Sequence, residues 1–394
     1  MDNQKNIAIV VVAYNRPDAL LQLLNSLNEV DYEGRSVPLI ISIDYSGKED
    51  TYRAAEAFEW SFGEKKIVRH PENLGLKKHV LSCGDLVKDY DAVIILEDDL
   101  LVSPSMYSYA WRAVEKYKDD ENIAAISLYT KGWSETAYKP FTPAYSKYDT
   151  FFIQTAESLG QIWMHDEWYR FRDWYSTHCE GFTSSDIIPR NVCEWDDKSW
   201  KKYHIWYCVD NNKYTVYPYK ALTKCSGEEG EHVKIKGQIS SVSDIQIPLL
   251  NYIQTNFYFA DYHDAETIKY DAFLERVFNE NTDTCIDLYG QKTNYDSYQY
   301  VITPKSLNYK IVETYGLLYR PHEDNIIAHE KGNYFVKYDL SIKQKNVVSY
   351  KTEMALKYYN YVDYQSVTSM MLVKELIHHL FRVIKYRIKK KLRR

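Results

Sequence analysis

Long apolar runs are missing from this sequence of 394 residues. No window holds the roughly 18 consecutive apolar residues that a membrane-spanning helix needs. Cysteine is also scarce: six residues are scattered without a C-x-x-C pair, which favours reduced thiols in a cytosolic compartment. We expect no export signal, because the first six residues are polar and the apolar run after them stops at Asn15 to Pro17.

An excess of positive charge is missing from most of the chain. The formal net charge is -6, yet residues 374–394 hold nine Lys or Arg and one Glu, a net +8, so the rest carries -14. Such a body lacks the attraction to phosphate backbones that nucleic-acid binding requires, and we expect no nucleic-acid partner. Apolar residues make up 45% and charged residues 26%, which excludes a disordered, collagen-like or multi-span membrane chain.

Strand and helix patterns alternate over the first 130 residues. Buried strands are predicted at 7–13, 39–43, 66–69, 92–96 and 123–128, with helical spacing of apolar residues between most of them. This order is typical of an α/β fold, a mostly parallel sheet with helices on both faces. Residues 131–234 are less regular and rich in tryptophan, and 235–365 form a smaller mixed α/β region with strands near 298–302 and 334–338.

Polar side chains stand where the predicted strands end, and ligands of such sheets bind beyond the carboxyl ends of the strands. Glu97, Asp98 and Asp99 follow one strand, and one or two of these carboxylates suit a divalent ion that also binds phosphates. The alternative is a solvated turn whose acids cap the next helix. Asp44 and Arg16 end neighbouring strands. There an Asp suits hydrogen bonds from a base or ribose, and an Arg suits phosphate oxygens. The alternative is that both are surface loop residues.

Two phosphate-binding motifs are absent from the sequence. No G-x-G-x-x-G follows the first strand and no G-x-x-x-x-G-K-[ST] occurs, so a Rossmann dehydrogenase and a P-loop NTPase are both poorly supported.

Four segments together resemble the GT-A-fold glycosyltransferases, in particular N-acetylglucosaminyltransferase I-like and bacterial family 2-like polysaccharide enzymes. The segments are Ile9 to Pro17, Ser42 to Asp44, His70 to Leu76 and Ile94 to Leu100. The resemblance covers roughly residues 5–235 and implies Mn²⁺, or Mg²⁺, on Asp99, with Glu97 and Asp98 at the donor sugar and ribose. It also implies that Asp44 faces a uracil and that Arg16 lies at the nucleotide of a UDP-sugar donor.

The resemblance continues beyond residue 130 and implies an acceptor half at 131–234. Residues 159–163 are similar to the acceptor-side segment of the family and include Trp163, although this chain lacks its frequent Trp-Gly-Trp. Trp195-Asp196-Asp197 is similar to a motif whose first Asp is the catalytic base, which implies Asp196 as the base and Trp195 on the acceptor side. Residues 227–232 are similar to a loop that closes over the donor, with His232 near the metal or diphosphate.

Simpler interpretations of these downstream residues stay open at the level of sequence. Asp196 stands before a predicted helix and suits an N-cap, and His232 suits an ordinary loop histidine. The tryptophans suit a hydrophobic core as well as sugar stacking.

The last segment, 366–394, has the pattern of a basic amphipathic helix. Apolar residues recur at three- and four-residue steps and basic residues fill other positions; the apolar ones are Val373, Leu376, Ile377, Leu380, Phe381, Ile384, Ile388 and Leu392. Such a helix lies in the interface of an anionic membrane, and the alternative is a helix that packs on the body with a frayed basic end.

The sequence thus predicts an inverting, metal-dependent glycosyltransferase that moves a sugar from a UDP-sugar to a saccharide or lipid-linked acceptor. The expected setting is bacterial polysaccharide assembly, such as capsule or O-antigen, with the enzyme peripheral on the cytoplasmic face of the plasma membrane. Two alternatives are a sugar nucleotidyltransferase, which would need a Gly-rich phosphate loop after the first strand, and a non-catalytic carbohydrate-binding or scaffold protein with the same frame.

Overall fold

The computed structural model describes residues 6–227, 247–278 and 283–346, and isolated helical positions between 355 and 388. The chain forms two compact units, residues 1–299 and 300–394. In the described residues no helix is long and apolar enough to cross a membrane.

The first part of unit one alternates strands and helices, as predicted. Its strands are β1 (Ile7–Ala13), β2 (Leu39–Ile43), β3 (Lys65–Arg69) and β4 (Ala92–Glu97), and its helices are α1 (Pro17–Asn28), α2 (Asp50–Ala57) and α3 (Leu76–Gly84). A 3₁₀ turn at Asp85–Asp89 follows α3. The predicted strands at 7–13, 39–43 and 92–96 are therefore confirmed, and β3 begins one residue before the predicted 66–69.

The remainder of unit one adds shorter elements to the same body. Its helices are α4 (Met106–Tyr117), α5 (His165–His178), α6 (Arg190–Glu194) and α7 (Trp200–Asp210). Its strands are β5 (Leu100–Val102), β6 (Ile123–Ser127), β7 (Trp133–Ser134), β8 (Lys139–Pro140), β9 (Thr150–Ile153), β10 (Gln161–Met164), β11 (Tyr214–Pro218), β12 (Thr223–Cys225), β13 (Lys269–Tyr270) and β14 (Thr284–Ile286).

Nine of these strands form one twisted sheet, in the order β13-β9-β11-β6-β10-β4-β1-β2-β3. Strands β1, β2, β3 and β4 are parallel, and β6 and β11 are parallel to each other, whereas β10 runs antiparallel to both β4 and β6. The sheet is thus mostly parallel with helices packed on it, as the predicted GT-A class requires. Because β13 pairs with β9, unit one extends past the boundary predicted at 234/235.

Both faces of the central strands are buried, which explains their unbroken apolar sequences. On β1 the side chains of Ile7, Ile9 and Val11 belong to one core cluster with the leucines of α1, and those of Ala8 and Val10 belong to a second cluster on the opposite face. Alternate side chains of a strand point to opposite faces, so a strand covered on both sides has no position for a charged residue. The charged residues of β1, β2 and β4 are consequently confined to the strand ends.

Unit two is built around an antiparallel sheet in which β17 (Phe335–Lys343) pairs with β15 (Tyr300–Thr303) and with β16 (Tyr309–Tyr315). The short helix α8 (Glu323–Ile327) lies between β16 and β17 in the chain. The strands predicted near 298–302 and 334–338 are therefore present. The isolated positions described between 373 and 388 are helical, and all the apolar side chains among them except Val383 are about half exposed or more, for example Leu376 at 59% and Phe381 at 69%.

Candidate active site

The strand order creates a crevice at the carboxyl edge of the sheet. Strand β1 lies between β2 and β4: the chain leaves β1 towards β2 and β3 and then returns to β4 on the other side. Open α/β sheets bind their ligands at such a switch point. Tyr14 to Arg16 follow β1, while Glu97 ends β4 and Asp98 and Asp99 come next, so both sets of predicted residues border this crevice.

Arg16 joins the two strand ends through its guanidinium group. Its Nη1 donates a hydrogen bond to Asp99 Oδ2 at 2.8 Å, and its Nη2 donates to Asp98 Oδ1. Asp98 is buried, and its backbone N–H donates to the carbonyl of Val12 at 3.1 Å, which continues the pairing of β4 with β1. The structure thus brings Arg16, Asp98 and Asp99 into one ion-pair cluster.

The cluster carries more negative than positive charge. Burial and the charges of Asp99 and Asp98 raise the pKa of Glu97 to about 8. Burial also raises the pKa of Asp98 to about 6, although Arg16 opposes that change. Glu97 is therefore mostly protonated near pH 7, and the one guanidinium still faces two aspartates in a poorly solvated site, so an added cation would be attracted there.

The available ligand atoms suit a divalent cation that also binds phosphate. The Asp99 side chain is 20% exposed and gives only Oδ2 to Arg16. Across the described ranges, no three His, Cys, Asp or Glu side chains converge to hold a metal. A cation would therefore use Asp99 together with phosphate or water oxygens, which is the usual coordination of Mg²⁺ in proteins. The donor set of this edge fits the Mn²⁺ or Mg²⁺ expected from the sequence.

Asp44 has a structural role that its sequence position does not reveal. This buried residue follows β2, and its carboxylate accepts hydrogen bonds from the backbone N–H groups of Tyr45 at 2.9 Å, Leu74 at 2.8 Å and Gly75 at 3.0 Å. Gly75 adopts a left-handed conformation with φ of 73°. Asp44 therefore fixes the loop between β3 and α3 at the edge of the crevice, and its contact with a nucleotide base stays a prediction.

A serine and two histidines form a hydrogen-bonded cluster next to this loop, which the sequence analysis did not predict. Ser42 Oγ is 3.1 Å from His70 Nε2 and 2.8 Å from His79 Nε2. Burial lowers the pKa of His79 to about 4, so this imidazole is neutral near pH 7. The available sequence signal was a polar residue inside the otherwise apolar β2.

A buried lysine donates hydrogen bonds to the segment that carries Asp196. Lys202 of α7 has a side chain only 1% exposed, and its Nζ donates to the Trp195 carbonyl at 3.1 Å and to Asp197 Oδ1 at 2.8 Å. Asp196 itself is exposed, and its Oδ1 accepts the N–H of Lys198 at 2.9 Å. The N-cap of α7 is Ser199, so Asp196 is not the helix cap that the simpler interpretation expected. Asp196 instead closes the turn before the helix, and its Oδ2 has no hydrogen-bond partner among the described residues. Lys202 was missed, although a lysine within an aromatic helix was a usable signal.

The amino end of α7 is near α3 and near the carboxyl group of Glu97. Helix α7 packs against α3, where the Lys77 ammonium lies 4.6 Å from the ring centre of Tyr203. The positive charge of Lys201 also acts on Glu97. In the contacts of the described residues, Asp196 is not joined directly to the strand-end carboxylates.

The two predicted acceptor-side tryptophans have different surroundings. Trp163 is 1% exposed, stacks on Trp168 with ring centres 4.1 Å apart and meets the edge of Trp200. Its ring is covered by core residues, so the prediction of a sugar contact at Trp163 is corrected: the hydrophobic core takes this side chain. Trp195 is partly exposed, with the Lys201 ammonium 5.6 Å from its ring centre.

His232 and most of the predicted closing loop lie outside the described residues. The chain that leads into this loop is described, and it begins beside the carboxylates. Strand β12 pairs with β5, so Cys225 is opposite Leu100, and the N–H of Ser226 donates to the Asp99 carbonyl at 2.6 Å.

Comparison with known proteins agrees with this geometry. Residues 8–172 match the sequence model of glycosyl transferase family 2. The match covers 165 of the 394 residues and indicates a family 2-like glycosyltransferase domain of GT-A fold in that part of the chain. This segment includes most of β1, all of β2 to β4, Arg16, Asp44 and the Glu97 to Asp99 triplet, so it agrees with the fold and the enzyme class expected from the sequence. No curated protein matches the chain.

Several solved glycosyltransferase structures share a distant likeness to the chain. S. aureus TarS 1–349 is 16% identical with a TM-score of 0.35, over 56% of this chain and 60% of that one. GalNAc-T7 with UDP, GalNAc and Mn²⁺ is 15% identical with a TM-score of 0.39, over 55% and 43%. Mannosyltransferase PcManGT from Pyrobaculum calidifontis with GDP-Man and Mn²⁺ is 13% identical with a TM-score of 0.36, over 58% of each chain. The chain thus spans at most about 60% of these proteins.

Replacing Asp44 by alanine should destabilise the protein and free the loop before α3. The change leaves the partly buried N–H groups of Leu74 and Gly75 without their acceptor, and we expect a loss of about 1 kcal/mol, the low end of the range for an unpaired buried donor. Urea unfolding would measure the loss, and hydrogen exchange should accelerate at these two amides. Glu72→Ala, an exposed change in the same loop, is the control and should alter neither quantity. Unchanged exchange in Asp44→Ala would contradict this role.

Proposed function

We propose that this protein is an inverting, metal-dependent glycosyltransferase that moves a sugar from a UDP-sugar to a saccharide or lipid-linked acceptor. The proposed setting is bacterial surface polysaccharide assembly, for example capsule or O-antigen. The observation that carries the proposal is the cluster of Arg16, Asp98 and Asp99 at the switch point of a family 2 domain. Such a cluster combines a phosphate-binding guanidinium with a carboxylate for a cation.

The donor is proposed to lie across the carboxyl ends of β2, β1 and β4. Its diphosphate would meet Arg16 and Asp99, and its nucleoside would extend towards Asp44, whose loop is already fixed. Mn²⁺ or Mg²⁺, when bound at Asp99, supplies positive charge that stabilises the departing UDP. Arg16 keeps the two aspartates of the cluster in place, so the donor meets a preformed site rather than mobile side chains.

In the transfer step, Asp196 is proposed to accept the proton of the acceptor hydroxyl. The acceptor oxygen forms a bond to the anomeric carbon while the bond from that carbon to the UDP oxygen breaks, so the configuration inverts. The hydrogen bond from Lys198 and the anchor at Lys202 hold the turn and leave Asp196 Oδ2 towards solvent. A carboxylate positioned in this way is an ordinary general base.

The segment after Ser226, which includes His232, is proposed to close over the donor. The N–H of Ser226, just before this segment, donates a hydrogen bond to the backbone carbonyl of Asp99, which connects the start of the segment to the carboxylates.

The C-terminal residues are proposed to bind an anionic membrane on its cytoplasmic face, near a lipid-linked acceptor. Seven of the eight described apolar positions from Val373 to Ile388 are about half exposed or more, Val383 being less exposed, and Lys385 and Arg387 lie among them. Exposed apolar side chains beside basic ones favour the interface of an anionic bilayer.

Asp99→Ala should abolish metal-dependent donor binding, because it removes the proposed protein ligand of the cation. Titration calorimetry with UDP, in Mn²⁺ and again in EDTA, measures the effect. The exposed Asp119→Ala also removes a carboxylate and should bind UDP as the unmodified protein does. Mn²⁺-dependent UDP binding that survives in Asp99→Ala would place the cation elsewhere.

Asp196→Asn should keep UDP binding and slow transfer by about 10²–10⁴-fold, the usual contribution of a general base. The measurement is single-turnover transfer, with the anomeric configuration of the product read by NMR. Glu194→Gln removes an exposed carboxylate of the same segment and should retain the rate. A normal rate in Asp196→Asn would exclude this residue as the base, and a retained configuration would exclude inversion.

A variant that ends at Ser369 should lose binding to vesicles containing phosphatidylglycerol. Co-sedimentation with anionic and with neutral vesicles measures the loss, and salt should weaken the binding of the full chain because the attraction is partly electrostatic. If the shortened variant sediments as the full chain does, the membrane role of this segment is wrong.

A further inference from the structure

A lysine at the start of α3 lies between the loop proposed to meet the donor and the helix that follows the proposed base. Asp44 fixes this loop, because its carboxylate accepts the N–H groups of Leu74 at 2.8 Å and Gly75 at 3.0 Å. The Gly75 carbonyl accepts the N–H of His79 at 3.0 Å, so the loop continues directly into the first turn of α3. Lys77 is the second residue of this helix, and its backbone position is therefore set by the same loop.

The side chain of Lys77 reaches across to α7. Its ammonium lies 4.6 Å from the ring centre of Tyr203, and Tyr175 of α5 also lies close to it. The two tyrosine rings meet edge to face, with their centres 5.0 Å apart. Tyr203 is fully buried and its hydroxyl donates to the Cys179 carbonyl at 3.3 Å, so the ring has a fixed position. A cation over an aromatic ring is attracted to it, and the attraction is stronger where water is partly excluded.

Tyr203 also belongs to the structure that holds the turn of the proposed base. Its neighbour in the chain is Lys202, whose ammonium donates to the Trp195 carbonyl at 3.1 Å and to Asp197 Oδ1 at 2.8 Å. Tyr203 and Asp197 approach the same point: a Cβ atom added at Gly181 would lie 3.1 Å from the tyrosine hydroxyl and 2.8 Å from Asp197 Oδ1. A continuous series of contacts thus connects the donor loop to this turn through α3 and α7.

We propose that Lys77 is a positioning residue, whose contact with Tyr203 sets the place of Asp196 relative to the bound donor. The inference rests on the proposed function, because Lys77 acts through the proposed base. The donor and the base are proposed to lie on different loops, so their separation depends on the packing of α3 against α7. A displacement of about 1 Å between reacting groups can slow a reaction about 10²-fold. A contact that fixes this separation therefore affects the rate without touching the substrate.

Lys77→Met in the full-length protein should slow the reaction and leave UDP binding unchanged. The change removes the cation and keeps most of the side-chain volume, so we expect a rate about 10-fold lower. Lys77→Arg keeps a cation and should retain the rate. Lys78→Met, an exposed change at the next position of the same helix, should alter neither the rate nor the binding.

The rate is measured as release of UDP from UDP-glucose, UDP-galactose and UDP-N-acetylglucosamine with Mn²⁺, and binding of UDP by calorimetry. In this reaction water takes the place of the acceptor: its oxygen bonds to the anomeric carbon, the bond to the UDP oxygen breaks, and Asp196 accepts the proton. A normal rate in Lys77→Met would overturn the inference. Weakened UDP binding would make Lys77 a donor ligand and would overturn it as well.

The same change in an Asp196→Asn background separates a role through the base from a loss of stability. If Lys77 acts through Asp196, the double variant should release UDP no more slowly than Asp196→Asn alone. A further loss as large as in the unmodified background would also overturn the inference. Failure of the unmodified protein to bind UDP or to release it from any of the three donors would count against the proposed function. Binding and release that do not depend on Lys77 count only against its positioning role.

Discussion

The shared hydrogen bonding of Arg16 with Asp98 and Asp99 is the constraint on which the site depends. Two adjacent carboxylates at the end of a buried strand would repel each other and lose hydration, and without a cation they would disfavour the fold. The guanidinium relieves that repulsion and ties the end of β1 to the end of β4. Because these strands flank the switch point, the same contact that stabilises the fold also shapes the crevice.

The other anchors repeat this use of charge to hold backbone. Asp44 binds three N–H groups of two loops, and the ammonium of Lys202 binds a carbonyl and a carboxylate of the turn at Asp196. In each case the hydrogen-bonding capacity of a buried charged group is used by other groups of the chain. The charged group therefore holds a loop in place and is not left to contact a substrate. The carboxylate oxygens that make no such contact, Asp196 Oδ2 and Asp99 Oδ1, are those proposed to meet substrates or a cation. Residues that hold the loops in place are thus distinct from residues proposed to take part in the reaction.

The sequence was informative wherever one residue type has one strong physical preference. Unbroken β-branched runs predict buried strands, and the polar residues after them had to lie at strand ends, so the cluster at Glu97 to Asp99 was located correctly. The sequence did not predict which residues far apart in the chain contact each other. Several partners were possible for each of three side chains, those of Ser42, Lys202 and Trp163. Trp163 was predicted to lie on the acceptor side. Its burial between Trp168 and Trp200 was not visible in the sequence, because those two residues belong to helices that come later in the chain. The boundary at 234/235 differed for the same reason, since β13 joins the sheet from residue 269.

Negative charge decides what the strand ends attract. Arg16 is hydrogen bonded to Asp98 and Asp99, and burial together with the charges of those two aspartates raises the pKa of Glu97 to about 8, so Glu97 is mostly protonated near pH 7. One guanidinium therefore faces two aspartates at ion-pair distance, and a net negative charge remains. Since electrostatic interactions are stronger where water is partly excluded, this edge of the sheet favours a cation, and a cation held there favours the phosphate groups of a nucleotide.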